Sequence, residues 1–239
     1  MKKIKTVILC GGKGIRLRPY TEDMPKPMMM IGDKPILWHI MKIYSHFGFK
    51  DFVLSLGYKG DKIVEWCKKN CEKDWNIEFV DTGDVGTTQR ILLVRKILDE
   101  RDFFCTYGDG VSDINIQTLL DFHKKHGKIA TVTLAHPQTH FGFVEVTIDG
   151  KIIKFAEKPI MREWVNGGFF VFKKEIFDYL EGRGKDDMIE REPFEKLAKN
   201  GQMMGYMHRG FWKCMDTYAD LTLLNDLWER DPKWMLWKK

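Results

Sequence analysis

Three side chains in this sequence have the charge and the neighbours to act on a phosphate. Arg16 and Lys26 follow the apolar run Thr6-Val7-Ile8-Leu9-Cys10 and the stretch Gly11-Gly12-Lys13-Gly14. A strand that opens into glycines lets backbone N–H groups approach an anion closely. The guanidinium and the ammonium add the positive charge that a polyphosphate needs. Lys26 stands between Pro25 and Pro27, so it is presented on a stiff, extended segment. Asp109 stands between Gly108 and Gly110, after the apolar run Asp102 to Tyr107. Flanking glycines leave its carboxylate open to a metal, at a strand end where ligands collect in open α/β sheets. Each string also has a plainer reading: a tight turn, a surface loop, and an Asp-Gly turn.

Two common glycine motifs are excluded. No G-x-x-x-x-G-K-[ST] string occurs. Gly12 to Leu17 fails the dinucleotide fingerprint because Leu17 takes the place of its third glycine, which argues against a dinucleotide-dependent oxidoreductase.

The elements that must position these residues alternate. Strands are expected at 4–10, 52–56, 77–80 and 102–107. Helices are expected at 35–44, 61–69, 90–99 and 116–126, the first opening on Pro35 and the last capped by Asp113. Strands separated by helices imply right-handed crossovers and a mostly parallel sheet. From residue 129 the texture changes. Strands are expected at 130–134, 143–148, 151–155 and 168–172, with Asp149-Gly150 as a hairpin turn, and helices at 190–199 and 220–229. The fold class is α/β, with a Rossmann-like mixed, mostly parallel sheet flanked by helices and a small β-rich insertion. A single domain is expected over 1–239.

With 239 residues and 44% hydrophobic content, the chain can bury a real core. A net charge of +5 without a long basic run suits an anionic small molecule better than nucleic acid. Five cysteines without a C-x-x-C pair argue for free thiols and a cytoplasmic protein, not for zinc or disulfides. Met1 to Ile4 lead straight into the first strand, so no signal peptide is expected. No apolar run nears the roughly 20 residues that span a bilayer. His136 and His140 are read as loop histidines because Pro137 breaks any helix between them. Trp228, Trp234 and Trp237 are expected to pack on the chain's own surface.

Gly11-Gly12-x-Gly14-x-Arg16-Leu17 followed by Pro25-Lys26-Pro27 resembles the signature of the sugar-1-phosphate nucleotidylyltransferases. The resemblance covers nearly the whole chain and implies the nucleotide-diphospho-sugar transferase type of fold. It implies a nucleotide-binding half over 1–128, with Cys10, Gly11, Gly12, Gly14, Arg16, Lys26, Gly108 and Asp109 around the triphosphate. Thr82 and Gly83 are the candidates for base contacts. It implies Mg2+ as cofactor, held by Asp109 and by Asp216 of Gly210 to Thr217; from the residues alone Asp216 could equally cap a helix. It implies a sugar-phosphate half over 129–239, where Glu157-Lys158-Pro159 would hold the sugar phosphate and a hydroxyl, and Asn166 and Gly168 the sugar. Without the resemblance, these two strings read equally as turns.

The strings 34–42, 81–84, 107–113, 166–170 and 210–217 are similar to the branch that uses CTP and glucose 1-phosphate. Thymidylyl or uridylyl transfer, or another phosphorylated acceptor, is the alternative. A non-catalytic nucleotide-sensing relative would have lost Lys26, Asp109 or Asp216, and all three are present. The chain departs from the family pattern at Ile15, where a small hydroxyl residue is usual, and at Thr88-Gln89-Arg90, where Gly-Gly-Arg is expected. It is also short between Lys69 and Ile77. A homo-oligomer that contacts neither nucleic acid nor membrane is expected.

Overall fold

The computed structural model describes residues 4–99, 101–139 and 141–238; Met1 to Lys3, Glu100, His140 and Lys239 lie outside them, so the reading of His140 as a loop histidine falls outside the described residues. The first part of the chain runs β1 (Thr6–Leu9), β2 (Met30–Ile31), β3 (Lys34–Pro35), α1 (Ile36–His46), β4 (Asp51–Leu56), α2 (Gly60–Asn70) and β5 (Asn76–Asp81). It continues with α3 (Thr87–Leu93), β6 (Asp102–Tyr107), β7 (Gly110–Ser112), α4 (Ile116–His126) and β8 (Ala130–Ala135). The last part is β9 (Phe143–Val146), β10 (Ile152–Ala156), β11 (Val165–Lys173), α5 (Phe177–Leu180), α6 (Glu192–Lys199), β12 (Met203–Met207), β13 (Trp212–Cys214) and α7 (Tyr218–Arg230).

Seven strands form one sheet in the order β12-β8-β11-β6-β1-β4-β5. β1 pairs in parallel with both β4 and β6, and only β11 runs against its neighbours. The chain leaves β1 to one side and returns on the other. The ends of β1 and β6 therefore flank a switch point, the usual place for a ligand in such sheets.

Both faces are covered, as the apolar strands require. Side chains alternate across a strand. Ile8, Leu54, Phe104 and Phe169 therefore face α1, α2 and α4, while Val7, Val53, Phe103 and Phe170 face α3, α5 and α6. Trp234 is fully buried, and its indole donates to His39 Nδ1 at 3.2 Å. Trp228 and Trp237 ring the same histidine, so the C-terminal tryptophans do pack on the chain itself. His136 sits in a loop against Trp164.

The β-rich insertion is the hairpin β9–β10, which stands apart from the seven-stranded sheet. Its apolar side chains Phe143, Val146, Ile152, Ile153 and Phe155 are exposed. Among the described residues, no helix is long and apolar enough to cross a membrane.

Two expectations need correction, and one sheet strand was not foreseen. The helix read at 90–99 starts at Thr87 and ends at Leu93, followed by a separate 3-10 turn. Gly86 N and Thr88 N donate to Lys185 O and Asp187 O, so a distant loop sets that start. Asp113 does not cap α4: Asn115, directly before the helix, takes the Thr118 N–H at 3.0 Å, while Asp113 pairs with His208 at 2.9 Å. Strand β12 was not expected, because Met203-Met204-Gly205-Tyr206-Met207 lacks β-branched residues and carries a central glycine.

Candidate active site

A cleft of about 880 Å³ opens at the ends of β1 and β6. That is large enough for a nucleotide and part of a second ligand. Its floor is the glycine-rich loop after β1. Gly11 is a close approach: a Cβ there would sit 1.7 Å from Arg90 Nη1. Gly14 takes a left-handed backbone (φ 61°), which turns the chain into the 3-10 turn that carries Arg16. Cys10, Gly11, Gly12, Gly14, Arg16 and Lys26 all line the cleft. Burial pushes the Cys10 thiol far up, so it is a neutral wall and not a nucleophile.

Opposite the loop stand Gly108 and Asp109, at the end of β6. The partner of Asp109 is Asp216, delivered by two local devices. The short ribbon β7–β13 pairs Gly110 with Cys214, and Met215 N donates to Asp109 O at 2.8 Å. Thr217 then caps α7 in a capping box with Asp220, which leaves Asp216 free to face the cleft instead of capping the helix. Burial works against the Asp220 carboxylate, but bonds from Lys213 and Thr217 outweigh it and hold its pKa low.

Lys26 joins the two aspartates. Its ammonium lies 2.6 Å from Asp109 Oδ2 and 2.7 Å from Asp216 Oδ1, and its side chain is 12% exposed. Burial alone would lower the lysine pKa; the two carboxylates outweigh it and raise it. Arg16 adds a second cation 3.0 Å from Asp216 Oδ1, on a side chain that is mostly exposed. Two carboxylates from distant segments therefore converge on one cationic position. Among the described residues no cluster of three or more His, Cys, Asp or Glu could hold a metal. Mg2+ commonly takes one or two carboxylates and completes its shell with phosphate oxygens and water, so Asp109 and Asp216 fit that ion.

The expected base contacts fall differently. Thr82 is buried, and its hydroxyl is engaged with Leu56 O at 2.6 Å. Gly83 is exposed, and the cleft wall is made by the next residues, Asp84 to Thr87. Arg90 was not singled out as a site residue, yet it ties this region together. It donates to Leu56 O at 3.0 Å, to Thr82 Oγ1 at 2.7 Å and to Gly11 O at 3.0 Å. A buried arginine with three acceptors is costly to strand, which fixes the glycine loop against β4 and β5. Gln89 points elsewhere and donates to Arg183 O at 2.9 Å. Ile15 is exposed at the lip of the cleft.

The acceptor residues divide. Asn166 and Gly168 line the cleft, and Asn166 donates to Tyr107 at 3.1 Å. Glu157 and Lys158 do not: they follow β10, are largely exposed, and lie 3.9 Å from each other.

The Nucleotidyl transferase family model matches residues 5–233 of the chain. A "Probable glucose-1-phosphate cytidylyltransferase" of Bacillus subtilis is 42% identical, over 98% of this chain and its own full length. The "Glucose-1-phosphate cytidylyltransferase" of Salmonella typhimurium is 40% identical over the same shares. Among solved structures, a putative glucose-1-phosphate thymidylyltransferase from Bacillus anthracis superposes with a TM-score of 0.78 at 21% identity, covering 95% of this chain and 96% of that one. A UDP-glucose pyrophosphorylase complexed with UDP-glucose gives 0.73 at 16% identity, covering 95% and 98%. The glycine loop and the paired carboxylates thus sit in a known frame: the chain belongs to the Nucleotidyl transferase family.

Proposed function

We propose that this protein transfers a cytidylyl group from CTP to α-D-glucose 1-phosphate, giving CDP-glucose and pyrophosphate. The observation that carries the reading is the Lys26 ammonium held between Asp109 and Asp216, beside a glycine loop that lines the same cleft. Relatives named for this activity match end to end, which supports the choice of nucleotide and sugar.

A phosphate oxygen of the sugar 1-phosphate attacks the α-phosphorus of CTP. The new P–O bond forms as the bond to the β-phosphate oxygen breaks, and pyrophosphate leaves. The attacking phosphate is largely a dianion at pH 7, with a second pKa of about 6, so no general base is needed. Catalysis is positioning and charge neutralisation. Residues 1–128 supply the glycine loop, Arg16 and Lys26 for the triphosphate. Residues 129–239 supply Asn166, Gly168, Glu157 and Lys158 for the acceptor. Asp109 and Asp216 would hold Mg2+, whose chemistry here is to neutralise charge developing on the phosphates. The five cysteines are free, which fits a cytoplasmic enzyme, and we expect a homo-oligomer.

The test is pyrophosphate release with Mg2+, each nucleoside triphosphate and a panel of sugar 1-phosphates. Release from CTP and glucose 1-phosphate above all other pairs is expected. A different preferred pair would move the specificity, and no release from any pair would favour a sensing role.

A further inference from the structure

Glu190 is a half-buried carboxylate in the cleft wall that no step above uses. The Tyr107 hydroxyl donates to its Oε1, and Thr87 Oγ1 donates to its Oε2 at 2.8 Å. Both partners are themselves held. Asn166 Nδ2 donates to the Tyr107 oxygen at 3.1 Å, and Thr87 Oγ1 accepts from Ile189 N at 2.9 Å.

An ionised carboxylate has about four acceptor sites. The protein fills two of them, and the remaining sites of a cleft-lining group need donors. A phosphate oxygen brings none and would be repelled. Sugar hydroxyls bring several. The position agrees, because Tyr107 ends β6 directly before Gly108-Asp109. An acceptor held here lies next to the carboxylates that face the phosphates.

We propose that Glu190 binds the hydroxyls of the sugar, with Tyr107 and Thr87 fixing its carboxylate, and that it selects a neutral, hydroxyl-rich sugar over an acidic one. This rests on the sugar 1-phosphate reading above.

Calorimetry with the full chain, saturated with α,β-methylene CTP and Mg2+ and titrated with glucose 1-phosphate, tests it without turnover. Glu190→Gln keeps the shape and loses the charge. It should weaken glucose 1-phosphate binding about tenfold or more while the affinity for the CTP analogue stays within about twofold. Unchanged sugar-phosphate affinity overturns the proposal, and so does an equal loss for both ligands, which marks a structural role. If Glu190→Gln does not fold, Tyr107→Phe decides: a loss confined to the sugar phosphate supports the proposal, and no loss overturns it. Wild type should bind glucuronic acid 1-phosphate more weakly than glucose 1-phosphate, and Glu190→Gln should narrow the gap; equal wild-type binding overturns the selectivity. Wild type that takes the CTP analogue but no sugar 1-phosphate would sink the acceptor reading itself.

Discussion

The glycine-loop end of the cleft and the β9–β10 hairpin solve the same problem in opposite ways. The first is set by groups that have nowhere else to go. Arg90 clasps the Gly11 and Leu56 carbonyls and the Thr82 hydroxyl, while Lys26 sits between two carboxylates with little exposure. The second stands off the main sheet with exposed apolar residues, and the side chains of Glu157 and Lys158 at its end are largely exposed. Chemistry that tolerates little misplacement is built where burial fixes geometry. Residues that need only close on a substrate can sit where few contacts resist movement.

The sharpest way to break this contrast is at the buried end. Asp109→Asn should reduce pyrophosphate release by roughly 10²–10³-fold, on the scale of one lost charge-stabilising group. Normal turnover with Mg2+ would remove Asp109 from the metal site. Arg90→Ala deletes three buried bonds and should cost about 2–4 kcal/mol in chemical denaturation. A near-neutral result would mean that the glycine loop holds itself.

Acid probes the same side. Burial lowers the His39 pKa to about 4, and Trp234 donating to Nδ1 leaves Nε2–H to bond Ile31 O at 3.0 Å, in the strand that follows the Lys26 turn. The folded pKa lies below the unfolded value, so the neutral ring's contribution is full above pH 6.5 and is lost as pH falls toward 4. The loss should approach 3 kcal/mol, as an order of magnitude, by about pH 4. Buried His123, lowered to about 3, acts in the same direction. Melting temperature followed from pH 7.5 to 5 should fall in wild type and less in His39→Gln, which keeps an acceptor for Trp234.

On the hairpin the effects should be smaller and of another kind. Lys158→Ala should raise KM for glucose 1-phosphate about tenfold without moving the melting temperature. Phe155→Ser should change stability by less than about 0.5 kcal/mol. A large loss there would show that the hairpin is packed in the working protein, and would end the contrast.

The glycine loop, Lys26 and Asp109 were legible because their chemistry is local: a strand, a turn and a charge within a few residues. The sheet was legible because β1, β4 and β6 are nearly continuous apolar runs. Asp216 needed the family resemblance, since its approach to Asp109 depends on a three-residue ribbon too short to leave a pattern. The early start of α3 was hidden because its first N–H groups are satisfied by residues about 100 positions away. Glu190 was passed over for the same reason. It was read as the first residue of a helix over 190–199, whereas α6 starts at Glu192 and Glu190 turns back against Thr87 and Tyr107.

The Lys26 bridge has an electrical consequence. Two cations, Arg16 and Lys26, face two anions, Asp109 and Asp216, so this cluster is close to neutral as it stands. It sends little field into solution to draw in a tetra-anion. Capture of a nucleoside triphosphate should therefore depend only weakly on ionic strength for a phosphate-binding protein. Its affinity should climb instead with the supply of divalent cation that travels with the nucleotide, so that the metal acts as part of the incoming cargo as much as part of the enzyme.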